Sequence, residues 1–469
     1  MKEYTLMELA EGLEKGKWTS VDLVSMYIDQ ISKYDQSGPS LNAIAEINPE
    51  VFEIARLLDM ERKFKGTRSI LHGIPLVIKD NINTKDKMHT SANSLALADF
   101  YAPYDAFIVK KLRDAGAIIL GKANLSEFAY FMSFDDMPSG YGSRFGQVKC
   151  PYSDKIDPLG SSTGSAVAVA ANMIPVAIGT ETNGSLTAPA QNNSIVSIKP
   201  TLGLVSRTGI IPITHLQDTA GPMSRTVAEA AYLLELIAGV DETDLMTRLM
   251  PDKEYNFSQT FDKPISDLNI GFLTFTNFKY DEEEIKILDE AKKVLSPLAR
   301  GTKDISFEHP DMPNHKSLIY EFKVDLNQYF STVRGFSPIN SLQELIEFNK
   351  KDPERCLKYG QSIFEASEAT SGTLKEPEYI EVRKKLLEDA EEFNRIMDSE
   401  KIDVIIMNRR TSHAPIAGNP VVAVPAKELN DDTPRSLFFV ARNYDDQACI
   451  RVAYQYEIHT KHRIKPKLK

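Results

Sequence analysis

The 469-residue chain holds only three cysteines, Cys150, Cys356 and Cys449, far apart in sequence. That odd number and wide spacing exclude a disulfide framework and a CxxC metal pair, and they predict free thiols in a reducing, cytoplasmic setting. Among the eight histidines no His-x-x-x-His or His-Glu-x-x-His spacing occurs, so a zinc site has no support and no metal is expected. The glycine-rich loops G-x-x-x-x-G-K-[ST] and G-x-G-x-x-G are missing too, which leaves nucleotide binding without a motif. Basic charge is short: 55 Lys and Arg against 66 Asp and Glu give a net −11, against nucleic acid as a partner. Long apolar runs are scarce. Pro158 to Thr180 carries no charge for 23 residues, yet it begins PLGSSTGS and is broken by Pro175, so it does not read as a membrane span. The N-terminal stretch MKEYTLMELAEGLEKGKWTS is charged and helical rather than basic and then apolar, so no signal peptide is expected.

What is present is uneven. From Leu159 to Gln217 only Glu181, Lys199 and Arg207 carry charge, three in 59 residues, against about 29% elsewhere. The same window holds seven Ser, seven Thr and six Gly. Shedding charge while keeping hydroxyls and glycine predicts a buried, closely packed and locally polar region. The overall 42% hydrophobic and 26% charged content is ordinary for a globular chain with a sizeable core.

Helical spacing is found at 5–15, 20–34 and 51–64, with Thr19 or Ser20 as an N-cap. Strand-like runs follow at LVIKD (76–80) and AIILG (117–121), flanking a helix near 106–115. An alanine-rich helix at 166–172 precedes a strand-like PVAIGT (175–180), and Thr226 with Glu229 forms a capping-box pattern. This alternation predicts an α/β fold with a large mixed β-sheet covered by helices on both faces. From about 246 to 400 charge rises and helices are predicted at 281–298, 313–330, 341–350 and 376–399. Strands return at 403–407, 421–425 and 436–441, and a last helix spans about 445–459. The expected organisation is one domain, 1–469: an N-terminal helical part (1–65), an α/β core (66–245 and 401–469) and a charged helical insertion (246–400).

Three short stretches carry candidate chemistry. Gly160 to Gly164 fits G-x-S-x-G with Ser162 as nucleophile, but that elbow needs a buried strand just before it. CPYSDKIDPL, with two prolines and three charges, stands there instead. Lys79 ends an apolar strand; such a lysine is commonly a surface charge, although a desolvated one loses its proton near neutrality and acts as a base. Ser185 lies in Glu181-Thr182-Asn183-Gly184-Ser185, where a turn either has no chemistry or converges its N–H groups on an oxyanion.

Taken together, these stretches resemble the amidase signature family, in its peptide-amidase-like branch. The lysine motif G-[IV]-P-x-x-[IVL]-K-D-N stands at Gly73 to Asn81, the Gly-Ser-Ser-x-Gly-Ser motif at Gly160 to Ser165, and [DE]-T-x-G-S-x-x-x-P-A at Glu181 to Ala190. GAIILGKANLSEF (116–128), VSIKPTLGLVSRTGIIP (196–212) and DTAGPMSRTV (218–227) add to the likeness, which is strong across about 70–240. HTSANSLAL, GTETNGS and SLQELIEFNKKDPER point to the branch.

The resemblance implies a Ser–cis-Ser–Lys triad that hydrolyses a carboxamide bond through an acyl-enzyme, without cofactor. Ser185 is then the nucleophile, Ser161 the bridging serine 24 residues earlier and Lys79 the base. The backbone N–H groups of Thr182, Asn183, Gly184 and Ser185 form the oxyanion hole. The expected partner is a small-molecule or peptide amide, acted on by a monomer or homodimer without a membrane. Tyr130, Phe131, Met132 and Phe134 are candidates for the substrate wall, with an ordinary aromatic core patch as the competing reading. The family commonly carries Gly where Asn183 stands and Arg where Thr187 stands, and Asn93 and Cys150 also depart from it. Its Gly-Leu-Pro-Val-Gly stretch is not recognisable around 429–441, which puts one pocket wall in question. Two other functions remain: the A-type component of a tRNA-amidotransferase, which channels ammonia to a partner, and a catalytically silent binding protein on the same fold.

Overall fold

The computed structural model describes residues 1–427 and 433–468. Its strands are β1 (Ile44–Ile47), β2 (Pro75–Lys79), β3 (Ile118–Ala123), β4 (Tyr141–Gly142), β5 (Gly146–Gln147), β6 (Val176–Glu181) and β7 (Val196–Lys199). The remainder are β8 (Thr219–Ser224), β9 (Asn269–Phe275), β10 (Gly301–Phe307), β11 (Val404–Met407), β12 (Val421–Ala426) and β13 (Arg435–Ala441). Eleven of them form one mixed sheet in the order β1-β3-β2-β6-β8-β7-β12-β13-β11-β9-β10, and β4 with β5 makes a separate hairpin.

The central strands are buried along their whole length, as their apolar runs demand. β2 lies parallel to β6 with Val77 opposite Ala177 and Ile78 opposite Ile178, which carries Lys79 to the level of Gly179 and Thr180. The helix Thr163–Ala170 packs on β6; every residue of it is buried, so its alanines and valines need no polar face. Gly179 permits the close approach, since a Cβ there would stand 2.7 Å from Ser162 Oγ. The stretch before Gly160 is an irregular loop rather than a strand.

The segment 246–400 is not all helical, which corrects the expected insertion. β9 and β10 lie parallel at the sheet edge, and β9 also pairs with β11. β10 reads GTKDISF, with Thr302, Lys303 and Asp304 exposed in succession, so its strand character is masked by the charge of an edge position. The segment's helices Asn314–Thr332 and Ser362–Glu368 build a second hydrophobic cluster with residues from 92–132. β1, at the opposite edge, brings the N-terminal part into the same sheet. No helix among the described residues is long and apolar enough to cross a membrane.

Candidate active site

Three elements converge at the carboxyl ends of β2 and β6. Lys79 closes β2, Ser161 and Ser162 precede the helix Thr163–Ala170, and Ser185 lies in the turn between β6 and the helix Thr187–Asn192. Lys79 has no exposed surface. Its Nζ is 2.7 Å from Ser161 Oγ, 3.0 Å from Ser162 Oγ and 2.9 Å from Thr180 Oγ1. Asn81 Nδ2 donates to the same Thr180 hydroxyl at 3.1 Å, fixing it against the lysine. Burial brings the Lys79 pKa down to about 7, against the opposing charges of Asp218 and Glu181. A lysine in this place loses its proton near neutrality.

The two neighbouring serines differ in what holds them. Ser162 Oγ donates to Thr180 O at 2.9 Å and accepts from Thr180 N at 3.1 Å, so it is spent tying its helix to β6. Ser161 Oγ has only Lys79 as a partner among the described residues. The Gly160–Ser161 peptide bond is cis. Ser162 N donates to Ser185 O at 3.2 Å, binding the two serine segments together. Ser185 Oγ makes no hydrogen bond among the described residues, and Ser185 alone of the three serines keeps exposed surface, 8%.

The turn is rigidly held while its donors stay free. Glu181 Oε2 accepts from Leu186 N at 2.7 Å, Thr187 N at 3.0 Å and Thr187 Oγ1 at 3.2 Å. Gly184 has φ +88°, which favours glycine and bends the chain around the loop. The N–H groups of Thr182, Asn183, Gly184 and Ser185 donate no hydrogen bond among the described residues. Such an array is free to meet an acceptor. Asn183, where the family commonly carries Gly, sends its Nδ2 to Asn314 Oδ1 and Ser412 Oγ, both at 2.9 Å. Gln217 Nε2 donates to Thr182 O and to Asn314 Oδ1, at 3.3 and 3.1 Å. The segment 246–400 therefore braces the turn through Asn314.

Sequence reasoning missed Asp218, which accepts from Thr182 Oγ1, Ile213 N and Thr214 N. Its burial raises its pKa to about 7, and its charge acts on Lys79 ahead of that of Glu181. It lies one residue beyond the charge-poor window, so Glu181 is not the only carboxylate near the lysine. Thr180 was in view as part of a strand; its role emerges only from the parallel pairing of β2 with β6. Phe131 and Met132 lie in the second hydrophobic cluster with Phe322 and Phe364. Tyr130 and Phe134 are half-exposed. None of these four lines the cavity of about 260 Å³ that opens beside Asn183, Gly184 and Thr187. That cavity is walled instead by residues near β11, among them Met407 and Arg410, and by Phe438 of β13. The stretch expected to form a pocket wall at 429–441 falls partly outside the described residues; its described part includes β13. No group of three or more His, Cys, Asp or Glu among the described residues is placed to hold a metal ion.

The mixed sheet bears a buried lysine, paired serines and a free turn of N–H groups, and the proteins the chain resembles are amidases. The chain belongs to the amidase signature family, whose model, described as Amidase, matches residues 22–415. Its structure superposes on native peptide amidase from Stenotrophomonas maltophilia with a TM-score of 0.94 and 37% identity, covering 100% of this chain and 99% of that one. A probable amidase of Arabidopsis thaliana is 35% identical over 478 residues, covering 100% of this chain and 92% of the relative. The A-type component of glutamyl-tRNA(Gln) amidotransferase from Legionella pneumophila is 30% identical over 494 residues, covering 98% of both chains. The protein is an amidase.

Proposed function

We propose that this amidase cleaves linear carboxamides through an acyl-enzyme formed on Ser185. The observation that carries the reading is the buried Lys79 amine, brought down to about pKa 7 and 2.7 Å from Ser161 Oγ. A serine hydroxyl becomes a good nucleophile only when a base removes its proton. Neutral Lys79 accepts the Ser161 proton while Ser161 accepts that of Ser185, which attacks the amide carbonyl. The free N–H groups of Thr182 to Ser185 receive the oxyanion, each worth about 2.7–4 kcal/mol in comparable sites. The relay then returns its proton to the departing nitrogen, and water hydrolyses the ester. The binding of Ser162 Oγ to both backbone polar groups of Thr180 supports Ser161 as the bridge.

The likeness to peptide amidase supports primary carboxamides as substrates, peptide C-terminal amides among them. Three buried free thiols fit a reducing, cytoplasmic setting. Labelling with a fluorophosphonate, mapped by mass spectrometry, tests the nucleophile: the adduct is expected on Ser185. Ser185→Ala is expected to lower ammonia release from amides by ~10⁴-fold or more with the melting temperature preserved. Full activity in that variant overturns the triad. Turnover by the purified chain alone separates this reading from an amidotransferase component that depends on a partner.

A further inference from the structure

One guanidinium beside the oxyanion turn has no part in the chemistry above. Arg410 lies just past β11 and lines the cavity of about 260 Å³ together with Asn183, Gly184 and Thr187. Its Nη1 is 3.0 Å from where a Cβ on Gly184 would stand, so the cation rests against the turn itself. Among the described residues Arg410 has neither a hydrogen bond nor an ion pair. Its neighbour Arg409 behaves oppositely, pairing with Glu284 at 2.8 Å and stacking on Tyr280 at 4.7 Å. Glu181 is the carboxylate whose charge acts on Arg410, but it stands beyond ion-pair distance and its Oε2 is engaged by the turn. The remaining wall combines apolar side chains, Met407 and Phe438 among them, with Glu181, His309 and Ser412. A guanidinium, always charged and shaped to hold a carboxylate by two parallel hydrogen bonds, thus faces a cavity in which no carboxylate of the described residues is in contact with it, the Glu181 carboxylate in the same wall standing off.

We propose that this cavity receives the acyl part of the substrate and that Arg410 selects amides whose acyl part carries a carboxylate near the scissile carbonyl. This rests on the reading of Ser185 as nucleophile. A primary carboxamide releases only ammonia, so whatever else occupies the cavity belongs to the acyl side. The spacer between carboxylate and carbonyl is short, because the cation rests against the turn that carries the oxyanion donors. Monoamides of small dicarboxylic acids fit this description, as do peptide amides ending in an acidic residue.

The test compares succinamate with succinamide, which differ only in a carboxylate against a neutral carboxamide. A preference of about tenfold or more in kcat/KM, per scissile amide, is expected for succinamate, the range of a hydrogen bond to a charged group. Arg410→Gln is expected to bring the ratio to about one, chiefly through KM, and Arg410→Lys to keep part of it. A ratio near one in the unaltered enzyme overturns the proposal, as does a preference that survives Arg410→Gln. Succinate binding by calorimetry gives a second readout in the Ser185→Ala background, where adding Arg410→Gln is expected to weaken it tenfold or more. Equal binding with and without Arg410 overturns the proposal even where a variant is too unstable for kinetics. Failure of the nucleophile reading is seen separately, as retained turnover in Ser185→Ala.

Discussion

Lys79 and Lys199 are two lysines that the fold buries completely at the ends of strands of one sheet. Burial depresses both, to about 7 and about 8, and the charge of Glu181 opposes the shift in each. They differ in what their amines touch. Lys79 meets three hydroxyls, of which the Ser161 hydroxyl is engaged by nothing else among the described residues. Lys199 donates to one backbone carbonyl, Pro200 O, at 2.8 Å. A depressed pKa is therefore not a site by itself; in the proposed relay the Ser161 hydroxyl, able to pass on a proton, makes it one.

Exchanging the two lysines one at a time breaks this contrast most sharply. Lys79→Met is expected to lower kcat/KM for amides by ~10³–10⁴-fold, the contribution of a positioned base at its upper end. Lys199→Met is expected to leave the rate within about tenfold, any effect falling on the melting temperature. Ammonia release and thermal unfolding on both variants check it; equal losses of rate would remove the distinction.

The serines come next. Ser161→Ala is expected to cost ~10²-fold or more in kcat. Ser162→Ala strips the backbone groups of Thr180 of their side-chain partner and is expected to cost about 1–3 kcal/mol of stability. Denaturant unfolding beside kinetics separates the two, and a loss of rate confined to Ser162→Ala would revive the elbow reading.

The pH profile sharpens the comparison further. Lys79 sheds its proton above about 7, so kcat/KM is expected to rise through an acid limb near pH 7. Asp218 titrates in the same range, so the limb belongs to the pair rather than to one group. Lys199→Met is expected to leave that limb in place. Because the folded-state pKa of Lys79 lies below the 10.5 of an unfolded lysine, the unfolded chain binds more protons between them. The contribution of Lys79 to stability thus rises with pH from about 7 to 10.5 and is lost as pH falls through 7. The smallest effect is expected from Asn183→Ala, a severalfold fall in kcat as the turn loses its ties to Asn314 and Ser412.

Much of this was legible in the residues because it is local. The apolar run ending at Lys79, the glycine and serine pairs at 160–165 and the turn at 181–185 each announce their geometry within a few positions. The central strands β2, β3 and β6 were visible for the same reason. β9 and β10 were hidden, one among charged neighbours and the other by a run of exposed polar residues at the sheet edge. Phe131 and Met132 show the converse failure, since an aromatic cluster reads alike whether it lines a pocket or fills a core.

The sequence by itself determined the family and the α/β class and marked which hydroxyls and amine to propose for the chemistry, since these rest on residue type and short spacing. Only the tertiary structure decided what surrounds them. The pairing of β2 with β6 delivers Thr180 to Lys79, Asp218 arrives from the start of β8, and Asn314 and Arg410 reach the turn from far along the chain. Electrostatic fields and desolvation depend on distance in space rather than in sequence, so the tuning of the lysine became visible only once the sheet was assembled.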